Sequence, residues 1–586
     1  MNEYMDPYYD WLNSDYIDEN TKDELRRIQD QPREIEDRFY RELEFGTGGL
    51  RGIIGAGTNR INIYTVRKAT QGLADFLRRE GEPAAGGSVA IAFDSRHYSD
   101  VFAKETALVL AGNGFKACLF DGLRPTPELS FAVRYLGCVA GVVITASHNP
   151  AEYNGYKVYG PDGGQITSEY AGGILECIGK IQSWNQIRVS DEVQAINCGL
   201  LQIIGAEVDT EYLNRVKKLA LHPELPPSAH DFRVVYTPLH GTGLKLIPRC
   251  LGELGYPHFH LVEAQARPDG DFPTVTSPNP EEHKAFTLGI KLMEDLQADI
   301  LFGTDPDCDR VGVVVPNPQG EYQVLTGNQV GALLVHYILA AQAGGISKED
   351  VIVKTIVTSD LGARIGEACG ATVVNTLTGF KYIGAKIEEF EKGKVYRFRF
   401  GYEESYGYLA GTFVRDKDAV IAGMLIVEMA AYYKQQGKSL LDVLGELYET
   451  YGYYRDDLET FTFKGVAGQE KIGAIMTRVR DFGKLTELFR DLVAVEDYQA
   501  GRRIYAGERV AESLTLPVSD VVKINLENGS WVAIRPSGTE PKLKIYYSAV
   551  ARGADASERL MAELKAKVNR LLFSPSGEKS GGRHEV

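Results

Sequence analysis

The stretch VAGVVITASHNP, residues 139–150, runs through small and apolar side chains as far as Thr145 and then breaks into a polar turn closed by proline. So short an apolar run, bounded by turn residues, suits a strand buried on both faces. Upstream, ELSFAVRYL (128–136) sets Leu129, Val133 and Leu136 on one helical face, and KACLF (116–120) and SVAIAF (88–93) are two more short apolar runs. Strands alternating with a helix predict a parallel sheet with crossover helices. Downstream, FRVVYT (232–237), ADILFG (298–303), VIVKTIV (351–357) and VYRFRFG (395–401) continue the pattern. Near the end, WVAIR (531–535) and KLKIYYSAV (542–550) read as strands of a smaller α+β unit.

Before the first strand, Thr21 and Glu24 stand three apart, as in a capping box. Pro32 suits the first turn of a further helix carrying Ile35, Phe39 and Leu43 on one face. GTGGLRGIIGAG, beyond Phe45, reads as a glycine-rich loop, and the tail from Ser574, SPSGEKSGGRHEV, as disordered. At about 150 residues per domain, 586 residues allow about four domains.

The net charge of −16 argues against broad adhesion to nucleic acid or to an anionic membrane, while leaving room for a local cationic pocket. The seven cysteines are scattered and form no CxxC pair, so neither a zinc site nor a disulfide framework is expected. The N-terminus lacks the basic-then-apolar order of a signal peptide, and no run of about 18 apolar residues predicts a membrane span. The expectation is a cytoplasmic enzyme, a monomer or weak dimer, with a small-molecule substrate and neither nucleic acid nor membrane as partner.

Four unusual loops each follow an apolar strand: ASHNP, TDPDCD, YEESYG and RPSGTEP. Ligands of open parallel sheets bind beyond the carboxyl ends of the strands. Ser147, Asp305, Glu403 and Arg535 are separated by 158, 98 and 132 residues, which are domain-sized gaps. One loop per domain, converging on one cleft, is the simplest arrangement.

Asp305, Asp307 and Asp309 alternate along a short loop and can turn three hard oxygen donors to one point, which suits Mg²⁺. A calcium EF-hand is not matched, because its glycine and glutamate positions hold Arg310 and Pro316. Ser147, on a tight turn after a buried strand, is a candidate nucleophile or phosphate carrier that needs a metal or a base. No G-x-S-x-G elbow surrounds it, so a Ser-His-Asp hydrolase is the weaker reading. The segment with Arg535, Ser537, Gly538 and Thr539 reads as an anion cradle or, taken alone, as a plain surface turn. Glu403 and Ser405 offer groups for sugar hydroxyls, and Arg415-Asp-Lys417-Asp is by default a solvated charge run. The loop at Gly46–Gly52 carries Arg51 and lacks the endings of a P-loop or a Rossmann fingerprint. Together the motifs supply a nucleophile, a metal, a polyol reader and a remote phosphate site, a set suited to phosphoryl transfer on a phosphorylated sugar.

TASHNP with the downstream NGYKVY, GTDPDCDR, GYEESYG, RPSGTEP and the early GTGGLRG resemble the α-D-phosphohexomutase superfamily, in its order and spacing, from about residue 40 to 560. The length, EESYG and RDKDAV are most similar to its bacterial phosphoglucomutase/phosphopentomutase branch. The resemblance implies an α/β fold of four domains around a central cleft, three related α/β domains with mixed, mainly parallel sheets and a C-terminal α+β domain. The implied divisions are a helical extension (1–40), domain I with the phosphoserine loop (41–205), domain II with the metal loop (206–322), domain III with the sugar loop (323–455), domain IV with the phosphate loop (456–575) and a disordered tail (576–586).

It also implies that Ser147 is phosphorylated and, with Asp305, Asp307 and Asp309, holds Mg²⁺. Lys157, His148 and Arg51 would serve the reacting phosphoryl group. Thr378, Gly379, Glu403, Ser405 and Lys417 would meet the sugar, Arg535, Ser537, Gly538 and Thr539 the non-reacting phosphate, and Arg310 would neutralise the metal loop. Lys157 or Lys417 would move protons if burial or a nearby cation lowered its pKa. The implied reaction interconverts α-D-glucose 1-phosphate and glucose 6-phosphate through glucose 1,6-bisphosphate. The alternatives are a phosphopentomutase, a phosphomannomutase, a synthase of the bisphosphate, or a non-catalytic phosphosugar-binding protein.

Overall fold

The computed structural model describes residues 3–46, 48–81, 87–342, 344–463, 465–507, 511–537 and 542–573. The expected tail, Gly538 and Thr539 lie outside the described residues. The chain divides into two compact units: residues 1–355 with 366–374 and 379–441, and residues 356–365 and 375–378 with 442–586.

Among the described residues, the first unit holds three sheets. In the first, Ala140–Ile144, Ser88–Phe93, Lys116–Phe120 and Leu201–Ile204 run parallel, in that spatial order. Their residues are buried on both faces except in the edge strand, as the uninterrupted apolar runs require. The helices Ile63–Arg79 and Ser99–Gly112 share this sheet's core, and Thr126–Tyr135 packs on its strands Ser88–Phe93 and Ala140–Ile144. On the other side of Ala140–Ile144 the sheet turns antiparallel, through Tyr153–Tyr159 and then Gly49–Ile53. The glycine-rich segment is therefore partly strand, not simply loop. Gly49 has φ +142, and a Cβ there would stand 1.8 Å from the Tyr156 carbonyl oxygen, so this close pairing needs glycine.

The second sheet pairs Ile300–Thr304 parallel to Arg233–Thr237 and antiparallel to Val311–Pro316. In the third, Asp350–Thr355 runs parallel to Arg397–Glu403, which pairs antiparallel with Gly407–Ala410. The helix Ala419–Gln435 follows and is buried along almost its whole length.

At the N-terminus, the helix Glu19–Arg27 is capped by Asp18, whose carboxylate accepts the Thr21 amide at 3.0 Å. Thr21 thus lies inside the first turn and is not the cap. Pro32 opens Pro32–Phe39, which buries Ile35 and Phe39; Leu43 falls beyond its end. These helices close an aromatic core of Tyr8, Trp11, Phe39 and Tyr64.

Among the described residues, the second unit is built on a seven-stranded antiparallel sheet that includes Trp531–Pro536 and Lys542–Ala551. The helices Gly465–Val479, Phe482–Leu488 and Ala554–Phe573 contribute to its own core. Among the described residues, no helix is long and apolar enough to cross a membrane.

Candidate active site

Three of the four loops meet in the first unit. The strand Ala140–Ile144 is followed by Thr145, whose hydroxyl accepts the Ser147 amide at 2.8 Å. Ser147 then takes φ +52, a conformation uncommon outside glycine. It is 4% exposed, and its Oγ donates to Asp305 Oδ2 at 2.6 Å, across 158 residues of sequence. Cys308, in the loop of the three aspartates, and Tyr406, in the loop after Glu403, also have positive φ, +53 and +63. Such conformations persist where the surroundings over-determine them, often at functional sites.

Asp305, Asp307 and Asp309 are buried, and one oxygen from each lies within 4.8 Å of the others. The loop is held from behind. The Thr242 amide donates to the Pro306 carbonyl at 2.8 Å, and the Thr126 amide to the Asp307 carbonyl at 2.9 Å. Asp305 Oδ1 accepts the amides of Asp309 and Arg310 at 3.1 and 3.0 Å. Asp307 Oδ1 and Asp309 Oδ1 have no hydrogen-bond partner among the described residues. Three buried hard-oxygen donors, two with an idle oxygen, fit a divalent cation of the Mg²⁺ type. Burial, then the charges of Asp307 and Asp309, push the Asp305 carboxyl well above the usual range.

Two lysines reach this cluster. Lys157 Nζ stands 2.9 Å from Asp307 and 3.9 Å from Asp309, and Lys417 Nζ 3.1 Å from both Asp309 and Asp416. Burial would lower the Lys417 pKa, but Asp309, Asp416 and Glu403 outweigh it and raise it. The lowered pKa that would make Lys417 a proton carrier is therefore not found. His148 Nδ1 lies 3.3 Å from Ser147 Oγ; burial and the charges of Arg310 and Arg51 hold its pKa well below the ordinary value, so the imidazole is neutral at neutral pH. Arg51 donates to the Asn149 side chain at 3.2 Å from the neighbouring antiparallel strand.

Glu403 ends the strand Arg397–Glu403 and is 5% exposed, and Ser405 is half-buried in the turn that follows. Burial raises the Glu403 carboxyl to about 7, against the lowering effect of Lys417. Arg310 joins the two loops: it bridges to Gly407 through its backbone and pairs with Glu281 through its side chain. The Arg415–Asp418 run is buried, not solvated. Arg415 pairs with Glu388 and Glu391, and Asp416 accepts from Tyr159 at 2.7 Å. Asp418 caps the helix Ala419–Gln435 and accepts from Tyr212 at 2.7 Å.

Gly379, with φ +116, heads the helix Phe380–Gly393. Thr378 belongs to the second unit, where its buried hydroxyl has no hydrogen-bond partner among the described residues. Arg535 lies in the strand Trp531–Pro536 of that unit, and the Ser537 amide donates to the Lys542 carbonyl at 2.8 Å. Sequence reading missed Arg96, Thr126, Thr145 and Glu281, which support these loops. Asp94-Ser-Arg96 follows the strand Ser88–Phe93, and that position after a buried strand was the available signal.

A fold of three α/β sheets and an antiparallel unit, with an acidic triad beside a strained serine, defines a class of phosphoryl-transfer protein. Models of the phosphoglucomutase/phosphomannomutase family match residues 42–184 (α/β/α domain I), 210–320 (domain II), 326–451 (domain III) and 483–568 (C-terminal domain), and the chain belongs to this family. It is therefore an isomerase of the phosphotransferase kind. A phosphoglucomutase of Staphylococcus haemolyticus (strain JCSC1435) is 39% identical over 516 residues, 88% of this chain and 91% of the relative. One of Staphylococcus aureus (strain USA300) is 36% identical over 555 residues, 94% and 96% of the two chains. Two solved structures share the fold. A putative phosphomannomutase of Thermus thermophilus has a TM-score of 0.65 at 24% identity, over 90% of this chain and 99% of the other. The Paramecium phosphoglucomutase parafusin has 0.69 at 15% identity, over 91% and 95%.

Proposed function

We propose that this enzyme interconverts α-D-glucose 1-phosphate and glucose 6-phosphate through a phosphorylated Ser147. The observation that carries the reading is the Ser147 hydroxyl, 2.6 Å from Asp305, in a buried acidic triad that Lys157 also reaches. The names of the relatives that are 36–39% identical supply the sugar. In this reading, phospho-Ser147 transfers its phosphoryl group to the free hydroxyl of a hexose monophosphate. Glucose 1,6-bisphosphate forms, turns end over end, and returns its other phosphate to the serine.

A phosphoserine carries about −1.5 to −2 charges at neutral pH, beside three aspartates. Asp305, Asp307, Asp309 and a phosphoserine oxygen would hold Mg²⁺, which when bound offsets this charge and polarises the phosphoryl group. Lys157 and Arg51 place further positive charge beside the serine, and Arg310 does so beside the metal loop. Neutral His148 is a hydrogen-bonding neighbour of Ser147. Glu403, Ser405 and Lys417 would hold the sugar, with Thr378 and Gly379 reading its orientation. Arg535, Ser537, Gly538 and Thr539 would grip the non-reacting phosphate.

The test is a coupled assay on glucose, mannose and ribose 1-phosphates, with and without glucose 1,6-bisphosphate. Glucose should be turned over fastest and only slowly without bisphosphate, and Ser147→Ala should be inactive. Mannose or ribose outrunning glucose would transfer the reading to a phosphomannomutase or phosphopentomutase. Parent-level turnover by Ser147→Ala would overturn it.

A further inference from the structure

The serine loop is held by a buried side chain from outside the four motif loops. Arg96 is 3% exposed. Its guanidinium donates to the Ser147 carbonyl at 2.6 Å, to those of Pro150 and Tyr153 at 2.8 and 3.0 Å, and to that of Asn149. Four carbonyls within seven residues of chain thus converge on one side chain. Asp94, also buried, stands 3.5 Å from the Arg96 Nε and accepts its backbone amide at 3.0 Å. Only a planar fork with several fixed donors can span so many acceptors; lysine offers one point charge.

Arg96 is covered by a segment from the second sheet's part of the chain. The Phe272 ring lies with its centroid 5.0 Å from the guanidinium carbon. Phe272 itself has φ +47. Gly270 packs so closely that a Cβ there would stand 2.8 Å from the His97 amide nitrogen. His97 meets Asp271 at 2.7 Å, and the Ser277 hydroxyl reaches the His148 carbonyl at 3.5 Å. The segment 270–277 therefore touches both the Arg96 turn and the serine loop.

The conformation of Ser147 follows from this arrangement. Drawing the carbonyls of 147, 149, 150 and 153 to one point requires a tight turn, and φ +52 at Ser147 is part of that turn. A trans peptide sets its N–H opposite its C=O, so the same contact turns the His148 amide away from the guanidinium. We propose that Arg96, clamped by Phe272, is a positioning residue that holds the Ser147 oxygen in register with the aspartate triad for phosphoryl transfer. This deepens the phosphoserine reading above and rests on it.

Transfer is sensitive to misplacement, and an error of about 1 Å can cost on the order of 100-fold. Arg96→Lys should therefore lower kcat by about 100-fold while changing KM less than about 3-fold. Phe272→Leu, which leaves the four hydrogen bonds and loosens the cover, should show the same split with a smaller loss. Free guanidinium ion should restore part of the kcat of Arg96→Ala. The companion measurement is uptake of labelled phosphate from glucose 1,6-bisphosphate by Ser147, read directly on the protein, together with a thermal melt. If Arg96→Lys does not fold, Phe272→Leu decides by the same kcat-against-KM split. Parent-like kcat in a folded Arg96→Lys, or a loss confined to KM, would overturn the clamp. A parent chain that takes up no label at Ser147 would instead sink the phosphoserine reading.

Discussion

Around Ser147 the decisive quantities belong to single side chains. The Lys157 ammonium is largely buried and stands 2.9 Å from Asp307, whereas a surface ion pair at that distance would contribute little. In the proposed reaction its use would lie in a fixed positive charge beside the transferring group, where one preorganised donor is worth about 100- to 1,000-fold in kcat. Lys157→Met should lose that much kcat with KM little changed, measured with saturating glucose 1,6-bisphosphate. A loss seen only in KM would reassign Lys157 to ground-state binding. The aspartate triad and the serine were legible in the sequence because three alternating carboxylates and a serine after a buried strand are unusual. Arg96 was not, because its partners are backbone carbonyls, which leave no mark on composition or spacing.

Between elements, buried charges meet in small clusters. Asp209, on the helix Ala206–Lys217, accepts from the Arg124 Nε at 2.6 Å and lies 3.0 Å from the Lys245 ammonium. Burial would raise its pKa, but the hydrogen bonds from Arg124 and other neighbours prevail and hold it at about 2. A depressed folded pKa stabilises above the unfolded value and loses that contribution as pH falls from about 4 toward 2. Asp209→Asn removes the nearest carboxylate from the buried Arg124 guanidinium, which keeps Asp121 at 2.8 Å and Glu128 at 3.7 Å, so the loss at neutral pH should stay below the about 3–5 kcal/mol of a fully broken buried pair. Urea unfolding between about pH 5 and pH 3 should show the parent's midpoint falling and that of Asp209→Asn falling less. Parallel curves would contradict the pairing.

The strands here were readable wherever both faces are buried, as in Ser88–Phe93 and Ala140–Ile144. Gly49–Ile53 was read as loop because its strand character comes from pairing with Lys157, Tyr156 and Gly155, about a hundred residues away. The Arg415–Asp418 charges looked solvated for the same reason. Their partners Glu388, Glu391, Tyr159 and Asp309 are distant in sequence or hidden in other motifs.

For the whole molecule, the two compact units and their separate cores make unfolding by heat a two-transition process in expectation, since multidomain chains depart from two-state behaviour. The acidic triad lies entirely in the first unit. A cation that binds only the folded site stabilises it by about 2.7 kcal/mol at a hundredfold excess over Kd. Scanning calorimetry with EDTA and then with excess Mg²⁺ should therefore raise one transition and leave the other in place. Asp307→Asn removes a carboxylate charge from the triad and should abolish most of that rise. The variant also leaves Lys157 without its nearest anion, so its transition in EDTA gives the cost of the substitution itself, and the Mg²⁺-dependent difference isolates the cation. Equal shifts of both transitions, or an undiminished Mg²⁺ response in Asp307→Asn, would place the cation somewhere other than the triad.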